Sequence, residues 1–196
     1  MYKIAITGKA NTGKNTVSKL LIKELRNQFR GKKTITHQYI AFADPIKAMI
    51  RLMFPTLPEK CLTGSSQNRA EIIPGAFKDG KPLSVRQLLI DLGTGVGRSY
   101  KENIWLDAFD YTFEKVKHKD IVIVTDVRFR NEFDHLKKQG FYQIRLLRNS
   151  HTQINHTSET NQDSIRDEEF NYVLDNNGTL SDLKNEVRKI ITQLQP

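Results

Sequence analysis

The sequence predicts an α/β fold in which helices cover both faces of a mainly parallel sheet. Two observations support this prediction. Short apolar segments alternate along the 196-residue chain with segments whose apolar residues recur at helical spacing. Residues 121–124 read Ile-Val-Ile-Val, an unbroken apolar run that is typical of a parallel strand buried on both faces. A chain of this length suits one domain with a sizeable core, and we expect a single domain over residues 1–196.

Five segments are predicted strands, which gives a five-stranded sheet. They span residues 3–7, 37–42, 120–127, 142–147 and 172–174. Helices are predicted from Lys14 to about Gly31, over 44–54, 84–92, 104–116 and 129–138, and from Thr179 onward. Asp44 is expected as an N-cap because Pro45 suits the first helical position. Thr179 and Asp182 have the spacing of a capping box.

Three segments interrupt this regular alternation. Residues 55–82 are weakly periodic, and we expect an irregular excursion over the site. Residues 93–97 read Gly-Thr-Gly-Val-Gly and are expected to break the helix that begins at Ser84. Residues 149–169 are polar and aperiodic, which is the composition of a mobile lid.

The composition excludes several classes of protein. No apolar run approaches the roughly 20 residues of a membrane span, so no membrane partner is expected. Cys61 is the only cysteine, which excludes an intramolecular disulfide and fits a reducing cytosol. The N-terminal apolar stretch is too short for a secretory signal, so a cytoplasmic location is expected.

The net charge of +9, from 31 basic and 22 acidic residues, favours anionic partners. Either a nucleic acid or a nucleotide site lined with Arg and Lys would account for it. The basic residues are dispersed along the chain, and the motifs below supply specific sites for a small nucleotide. Nucleic acid is therefore the less favoured partner.

A glycine-rich loop follows the first predicted strand and leads into the first predicted helix, which is the context of a Walker A phosphate loop. Glycines allow the backbone to curl so that N–H groups point at phosphate oxygens, and the helix N-terminus adds partial positive charge. Lys14 places a full positive charge near the β and γ phosphates. The alternative is a strand-to-helix turn that binds nothing. We predict that ATP is bound by Gly8, Asn11, Thr12, Gly13, Lys14, Asn15 and Thr16.

The residue after Lys14 departs from the usual pattern. A Ser or Thr there helps to bind Mg²⁺, whereas this chain has Asn15 followed by Thr16. An amide oxygen can still ligate a hard cation or one of its waters. We therefore expect Mg²⁺ as a cofactor with Asn15 contacting it through water, and Thr16 donating to a phosphate.

The remaining features favour a small kinase among phosphate-loop proteins. A guanine-specific GTPase would usually show Asn-Lys-x-Asp after a strand, and this sequence has no such motif. A DNA-directed ATPase would usually be longer. Two alternatives stay open: a kinase for another phosphorylated small molecule, of the dephospho-CoA or phosphomevalonate type, and a nucleic-acid-linked ATPase.

Five segments together resemble the bacteriophage-type deoxynucleoside monophosphate kinases. They are the loop 8–16; Phe-Ala-Asp-Pro-Ile-Lys at 42–47; Arg-Gln-Leu-Leu at 86–89 with Leu-Gly-Thr-Gly-Val-Gly-Arg at 92–98 and Trp105; Thr-Asp-Val-Arg-Phe-Arg-Asn-Glu at 125–132; and His-Thr-Ser-Glu at 156–159. The third and fourth segments are the most specific. The family often has Asp at the position of Asn15, Glu at that of Gly95 and Pro at that of Arg130, and the latter two differences bear on base preference.

The resemblance implies a fold and a reaction. The fold is the three-layer nucleoside-monophosphate-kinase-like fold, with an acceptor-binding insert over about 44–105 and a lid over about 149–169. The reaction is transfer of a phosphoryl group from ATP to a deoxynucleoside monophosphate. A monomer or homodimer is expected, in the host cytoplasm if the chain is phage-encoded.

Asp126 and Arg128 are the candidate catalytic residues beside Lys14. Asp126 ends a predicted strand at the carboxyl edge, where ligands bind in open α/β sheets, and it could hold Mg²⁺ through water or orient the acceptor. Arg128 would face the same way and suits bidentate binding of phosphate. Glu132, one helical turn on, is expected near the acceptor sugar or base. The alternatives are a strand-end cap, a surface arginine and a solvated helix face.

By resemblance, the acceptor nucleotide is also contacted by Arg86, Gln87, Gly93 and Thr94. Trp105 is expected either to stack on the acceptor base or to pack in the core. Asp44 and Arg69 are expected near the acceptor sugar and phosphate, and Arg148 near the ATP phosphates or adenine. His156, Ser158 and Glu159 lie within the expected lid.

Overall fold

The computed structural model describes residues 1–31, 34–149 and 161–194. The chain divides into two units, one formed by Met1–Ala41 with Asp110–Pro196 and the other by Phe42–Phe109. The second unit includes the segment 44–105, in which the acceptor-binding insert is expected.

The strands in chain order are β1 (Tyr2–Thr7), β2 (His37–Tyr39), β3 (Ile72–Lys78), β4 (Lys81–Ser84), β5 (Ile121–Val127), β6 (Tyr142–Leu147) and β7 (Tyr172–Asp175). The α-helices are α1 (Lys14–Gln28), α2 (Asp44–Met53), α3 (Glu59–Thr63), α4 (Ser66–Arg69), α5 (Val85–Ile90), α6 (Arg98–Tyr100), α7 (Ile104–Val116), α8 (Arg130–Lys138) and α9 (Leu180–Gln193). A π-helix spans Asp91–Gly97, and two 3₁₀ segments span Asn161–Ser164 and Asp167–Glu169.

The first unit contains a five-stranded sheet in the order β2-β5-β1-β6-β7. Every neighbouring pair in it is parallel, so all the strands end at one edge. The prediction of a parallel five-stranded sheet is confirmed. β1 lies at its centre, where Ile4, Ala5 and Ile6 are completely buried. A position between two paired neighbours, covered on both faces, explains why β1 reads as a short, almost uniformly apolar run.

Helices cover both faces of this sheet, which completes the α/β prediction. On one face α1 and α9 pack against the strands through a shared apolar cluster that includes Val17, Leu21, Ile144 and Val187. Burying one such aliphatic side chain contributes about 1.5–3 kcal/mol. The alternate strand residues Ala5, Val122 and Val124 are completely buried as well, so the other face is also covered. α9 begins with the predicted capping box, in which Thr179 and Asp182 exchange hydrogen bonds.

The segment 55–82 is more regular than the sequence predicts. It contains α3, α4 and the antiparallel strands β3 and β4, so the expectation of an irregular excursion is wrong. The turn between the strands is Asp79-Gly80, and both residues have positive φ, at 50° and 74°. An Asp-Gly pair is a strong hairpin signal because both central residues of this turn need that conformation. Pro74 and Pro82 in the flanking strands weaken the pattern.

Two helix boundaries differ from the predictions. Residues 93–97 do not break the helix begun at Val85, because the chain widens into a π-helix and continues into α6. Asp44 is the first residue of α2 and Ala43 occupies the N-cap position, so the prediction of Asp44 as N-cap is wrong. The Asp44 carboxylate pairs with Lys47 at 3.1 Å.

The expected lid is described only in part. Residues 150–160, with His156, Ser158 and Glu159, lie outside the described residues. The part that follows contains the two 3₁₀ segments and is tied to the sheet and to α8. Arg145 pairs with Asp167 at 3.1 Å, and Arg130 pairs with Glu169 at 2.8 Å. Across 1–31, 34–149 and 161–194, no helix is long and apolar enough to cross a membrane.

Candidate active site

The predicted phosphate-binding residues follow the carboxyl ends of neighbouring strands in the first unit. β1 ends at Thr7 and leads into the loop 8–13, and β6 ends one residue before Arg148. β5 carries Asp126 one residue before its end. Because the strands are parallel, all of these residues belong to one edge of the sheet.

The backbone of the loop turns sharply at two residues that have positive φ. Gly13, at the N-cap of α1, has φ of 100°, and Asn11 has φ of 63°. Asparagine tolerates this left-handed conformation better than most residues. Gly8 is required by space, because a Cβ there would lie 2.7 Å from the carbonyl oxygen of Leu146. The loop is therefore held tightly against β6.

Lys14 is folded back across the loop. Its ammonium group donates to the carbonyl oxygens of Gly8 and Lys9, the latter at 2.7 Å. The positive charge thus lies next to the backbone of Gly8 and Lys9, close to the N-terminus of α1, where the helix dipole is also positive. A phosphate group entering the loop would meet a charge that is already in position.

The other polar residues of the loop fall into two groups. Thr12 is buried, and its hydroxyl donates to the carbonyl oxygen of Lys9 at 2.9 Å, so it closes the loop internally. Asn15 and Thr16 are exposed in the first turn of α1. Among the described residues, no group of three or more His, Cys, Asp and Glu side chains could hold a metal ion. The oxygen donors of Asn15, Thr16 and Asp126 still fit Mg²⁺, which keeps several waters and binds phosphate oxygens directly.

A small depression, with a volume of about 70 Å³, opens beside the loop. Lys9 crosses it to pair with Asp163 at 3.1 Å. Arg148 lines it and is exposed, so its guanidinium adds positive charge, and its contact with ATP stays a prediction. The depression is lined by Thr7, Gly8, Lys9, Thr12, Arg145, Leu146, Leu147, Arg148, Gln162 and Asp163.

Asp126 and Arg128 flank the end of β5. Both are half-buried, whereas Val127 between them is buried. The pairing of β5 with β1 shifts its register between Val124 and Val127, so a bulge or similar irregularity lies in this segment. Glu132 is only 3% exposed. Its carboxylate accepts from the backbone N–H groups of Arg128 at 2.8 Å and Phe129 at 3.1 Å. Glu132 therefore supports the turn that carries Arg128, and its contact with an acceptor stays a prediction.

The predicted acceptor residues of the second unit begin around α5. Ser84 caps this helix by accepting from the backbone N–H of Gln87. The Gln87 amide donates to Asp91 at 2.9 Å, and Lys78 pairs with the same carboxylate at 2.7 Å. Arg86 beside it is half-buried. Gln87, Lys78 and Asp91 form a polar cluster at the start of the π-helix. Single π-helical turns are frequent at functional sites.

Arg69 and Cys61 belong to the neighbouring short helices. The Arg69 guanidinium donates to the carbonyl oxygen of Gly64 at 3.1 Å. The Cys61 thiol is buried and lies 3.3 Å from the Glu71 carboxylate, to which it donates. Burial and that carboxylate raise the pKa of the Cys61 thiol, so the thiolate is disfavoured. Cys61 is consistent with a structural role.

Trp105 packs against the π-helix. It is 7% exposed, and its indole N–H donates to the carbonyl oxygen of Gly93 at 2.7 Å. Gly97 lies against the same indole, since a Cβ there would be 2.2 Å from a ring carbon. Of the two roles considered for Trp105, core packing is the one that the structure displays, and stacking on an acceptor base stays a prediction. Gly93 is buried and Thr94 is half-buried beside it.

Three residues near the phosphate loop were missed from the sequence. Asp163 and Gln162 lie in a polar segment with no periodic pattern, so nothing indicated that they line the depression. Asn176 is buried and contacts the loop directly. It follows β7 at the carboxyl edge, so the rule that singled out Asp126 would also have found it.

Two comparisons with known proteins agree with each other. A family model described as "Deoxynucleotide monophosphate kinase" matches residues 59–187. A protein of Acanthamoeba polyphaga mimivirus named "Putative deoxynucleotide monophosphate kinase" is 28% identical over 200 residues, covering 95% of this chain and 94% of that protein. The family match includes Asp126 and Arg128, whereas the phosphate loop precedes it in the sequence.

Proposed function

The chain belongs to the deoxynucleotide monophosphate kinase family, and from this premise we propose that it transfers the γ-phosphoryl group of ATP to a deoxynucleoside monophosphate, giving ADP and a deoxynucleoside diphosphate. The observation that carries the donor half of this proposal is the phosphate loop with Lys14 held across it. The acceptor half rests on the family and on Asp126 and Arg128, which lie at the same edge of the sheet as the loop.

The chemistry requires two polyanions to meet in line. An acceptor phosphate oxygen is a good nucleophile at neutral pH, so positioning and charge neutralisation are the main tasks of the protein. Lys14 and the loop N–H groups neutralise the donor phosphates. Arg128 binds the acceptor phosphate in a bidentate manner, and Arg148 adds charge beside the donor. A covalent intermediate is not needed.

Mg²⁺ would be held by the donor phosphates together with the oxygen atoms of Asn15, Thr16 and Asp126, directly or through water. When bound, it neutralises charge on the donor phosphates. Asn15 in place of a hydroxyl residue leaves Asp126 as the protein's stronger oxygen donor, because only its carboxylate carries a charge.

An assay of ADP release over a panel of ribo- and deoxynucleoside monophosphates tests this function. We expect ATP consumption that depends on at least one deoxynucleoside monophosphate. Dephospho-CoA and phosphomevalonate, tested in parallel, address the other small-molecule kinases, and duplex DNA addresses a nucleic-acid-linked ATPase. Turnover with one of these and with no deoxynucleoside monophosphate would refute the proposal.

Replacing Lys14 with Met tests the loop itself. The variant keeps the length of the side chain but removes its charge, and we expect transfer to fall roughly 10²–10³-fold or more. Lys19→Met is the matched control, because Lys19 is exposed on the same helix. Turnover measured with thermal unfolding separates lost chemistry from lost folding. If Lys14→Met and Lys19→Met are equally active, the loop does not bind the donor as proposed.

A further inference from the structure

Asn176 joins three parts of the first unit that are far apart in sequence. It follows β7 directly and is buried. Its backbone N–H donates to the carbonyl oxygen of Leu147, the last residue of β6, at 2.8 Å. Its side-chain amide donates to the carbonyl oxygen of Thr12, in the phosphate loop, also at 2.8 Å. The ends of β6 and β7 are thereby linked to the loop that follows β1.

The hydrogen bond to Thr12 sets the direction of one peptide group. In a trans peptide the C=O and the N–H point in opposite directions, so the carbonyl of Thr12 and the N–H of Gly13 are antiparallel. Because the Thr12 carbonyl points at Asn176, the Gly13 N–H points away from Asn176. Rotating this peptide would leave a buried carbonyl without its donor, which costs free energy.

Gly13 and Asn176 are also fitted to each other sterically. A Cβ on Gly13 would lie 2.6 Å from the Asn176 amide nitrogen. The positive φ of 100° at Gly13 is a second reason for glycine at this position. The close approach means that Asn176 can seat against the loop only because residue 13 has no side chain.

We propose that Asn176 is a positioning residue of the phosphate loop: its side-chain amide fixes the Thr12–Gly13 peptide so that the Gly13 N–H is directed at the bound nucleotide phosphates. This inference rests on the proposed function, since it requires that the loop bind a nucleoside triphosphate. The residue acts through the backbone and does not touch the substrate. Part of the affinity for phosphate is therefore set by the carboxyl end of β7.

Asn176→Asp is the sharpest test because it keeps the shape of the side chain but replaces the donor with a charged acceptor. An ionised carboxylate facing the Thr12 carbonyl would repel it and turn the peptide. A protonated carboxyl can donate to it and restore the native arrangement. We expect ATP to bind at least about tenfold more weakly than to the wild type at pH 8, with the ratio of the two dissociation constants shrinking toward pH 5.

Asn177→Asp is the matched control. It places the same charge one residue further on, at an exposed position. The side-chain oxygen of Asn177 accepts from the backbone N–H of Asn149, and its amide donates to the Asp175 carboxylate, so this control also loses a side-chain donor, but one that does not contact the loop. Any general effect of added negative charge, and any titration of ATP itself, appears equally in this variant. We expect less than about a threefold loss of affinity at pH 8, with little dependence of the ratio on pH. Equal losses in both variants would overturn the proposal.

Calorimetric titration with ATP and with inorganic tripolyphosphate locates the effect. Asn176→Asp should weaken both ligands by a similar factor, because the proposal concerns phosphate binding and not the base. Unchanged tripolyphosphate binding alongside weakened ATP binding would contradict it. If the wild type binds neither ligand, the proposed function fails instead, so the two failures are distinguishable.

Asn176→Ala covers the case in which the Asp variant does not fold. It removes the donor without adding charge, and the thermal midpoint is measured with and without ATP. A purely structural role predicts a lower midpoint with an unchanged ATP affinity. Our proposal predicts that ATP affinity also falls, about five- to tenfold, and an unaltered affinity would refute it.

Discussion

Replacing Gly97 with Ala should destabilise the second unit, although the same change usually stabilises a helix. A Cβ at residue 97 would lie 2.2 Å and 2.8 Å from two carbons of the Trp105 indole and 3.0 Å from the carbonyl oxygen of Leu92. The two separations from the indole are shorter than real Cβ contacts, so the indole has to move. Its movement would strain or break the hydrogen bond to the Gly93 carbonyl.

The magnitude follows from three terms. Overpacking of a core costs about 1–3 kcal/mol. Loss of the buried indole hydrogen bond costs about 0.5–1.5 kcal/mol net. The higher helix propensity of alanine offsets about 1 kcal/mol. We therefore expect the unfolding free energy to fall by about 2 kcal/mol, which corresponds to a midpoint about 4–8 °C lower.

Gly95→Ala is the matched control, because it lies in the same π-helix and a Cβ there would meet no atom within 4 Å. This variant should be neutral or slightly stabilised. Thermal unfolding followed by circular dichroism compares the two. Trp105 is the only tryptophan, so its fluorescence should change in Gly97→Ala and not in Gly95→Ala.

A double-mutant comparison identifies the clashing partner. In a Trp105→Phe background the larger indole is gone, so Gly97→Ala should cost less than it does beside Trp105. If Gly97→Ala is as stable as Gly95→Ala, or if its cost is the same in both backgrounds, then the π-helix does not pack on Trp105 as described.

Two further outcomes are expected in the first unit. Glu132→Ala should lower the free energy of unfolding by about 1–3 kcal/mol, because the backbone N–H groups of Arg128 and Phe129 lose their buried acceptor. Glu132→Gln keeps an oxygen atom and should lose less. Denaturant unfolding measures both variants, and equal losses would contradict the capping role. The pKa of Glu169 is held below its ordinary value of 4.5 by the backbone N–H of Arg166 and then by the Arg130 guanidinium. A pKa that is lower in the folded state contributes stability that is present above the pKa of the unfolded state and is lost as pH falls. The difference in thermal midpoint between wild type and Glu169→Gln should therefore shrink below about pH 4.5. A constant difference from about pH 7 to about pH 3 would refute this.

Local patterns predicted the parallel sheet and the long helices of the first unit, although not the residues that support its loop. An uninterrupted apolar run at 121–124 indicates a buried parallel strand because both of its faces are covered, and the structure places that strand next to β1. Thr179 and Asp182 predict a helix start because a capping box is made by residues three apart. Gly13 and Lys14 likewise predict a phosphate loop from its own sequence and the strand and helix on either side of it.

The second unit was less predictable because its signals compete. Asp79-Gly80 indicates a hairpin, but Pro74 and Pro82 oppose strands on either side of it. The glycines at 93, 95 and 97 indicate a break, yet the helix continues. Trp105 packs against the widened turn and donates to its backbone, and this contact spans 12 residues. Helix propensities describe single residues and do not include a contact with a side chain 12 residues away, such as that of Trp105.

The sequence by itself therefore determined the α/β class, and it predicted the phosphate loop and its lysine, because each of these depends on neighbours in the chain. Only the tertiary structure decided which residues hold that loop in shape. Asn176 lies 164 residues from Thr12 in sequence and 2.8 Å from it in space. Parallel strands bring their carboxyl ends to one edge, and the order of the strands, which no local pattern specifies, selects the residues that meet there.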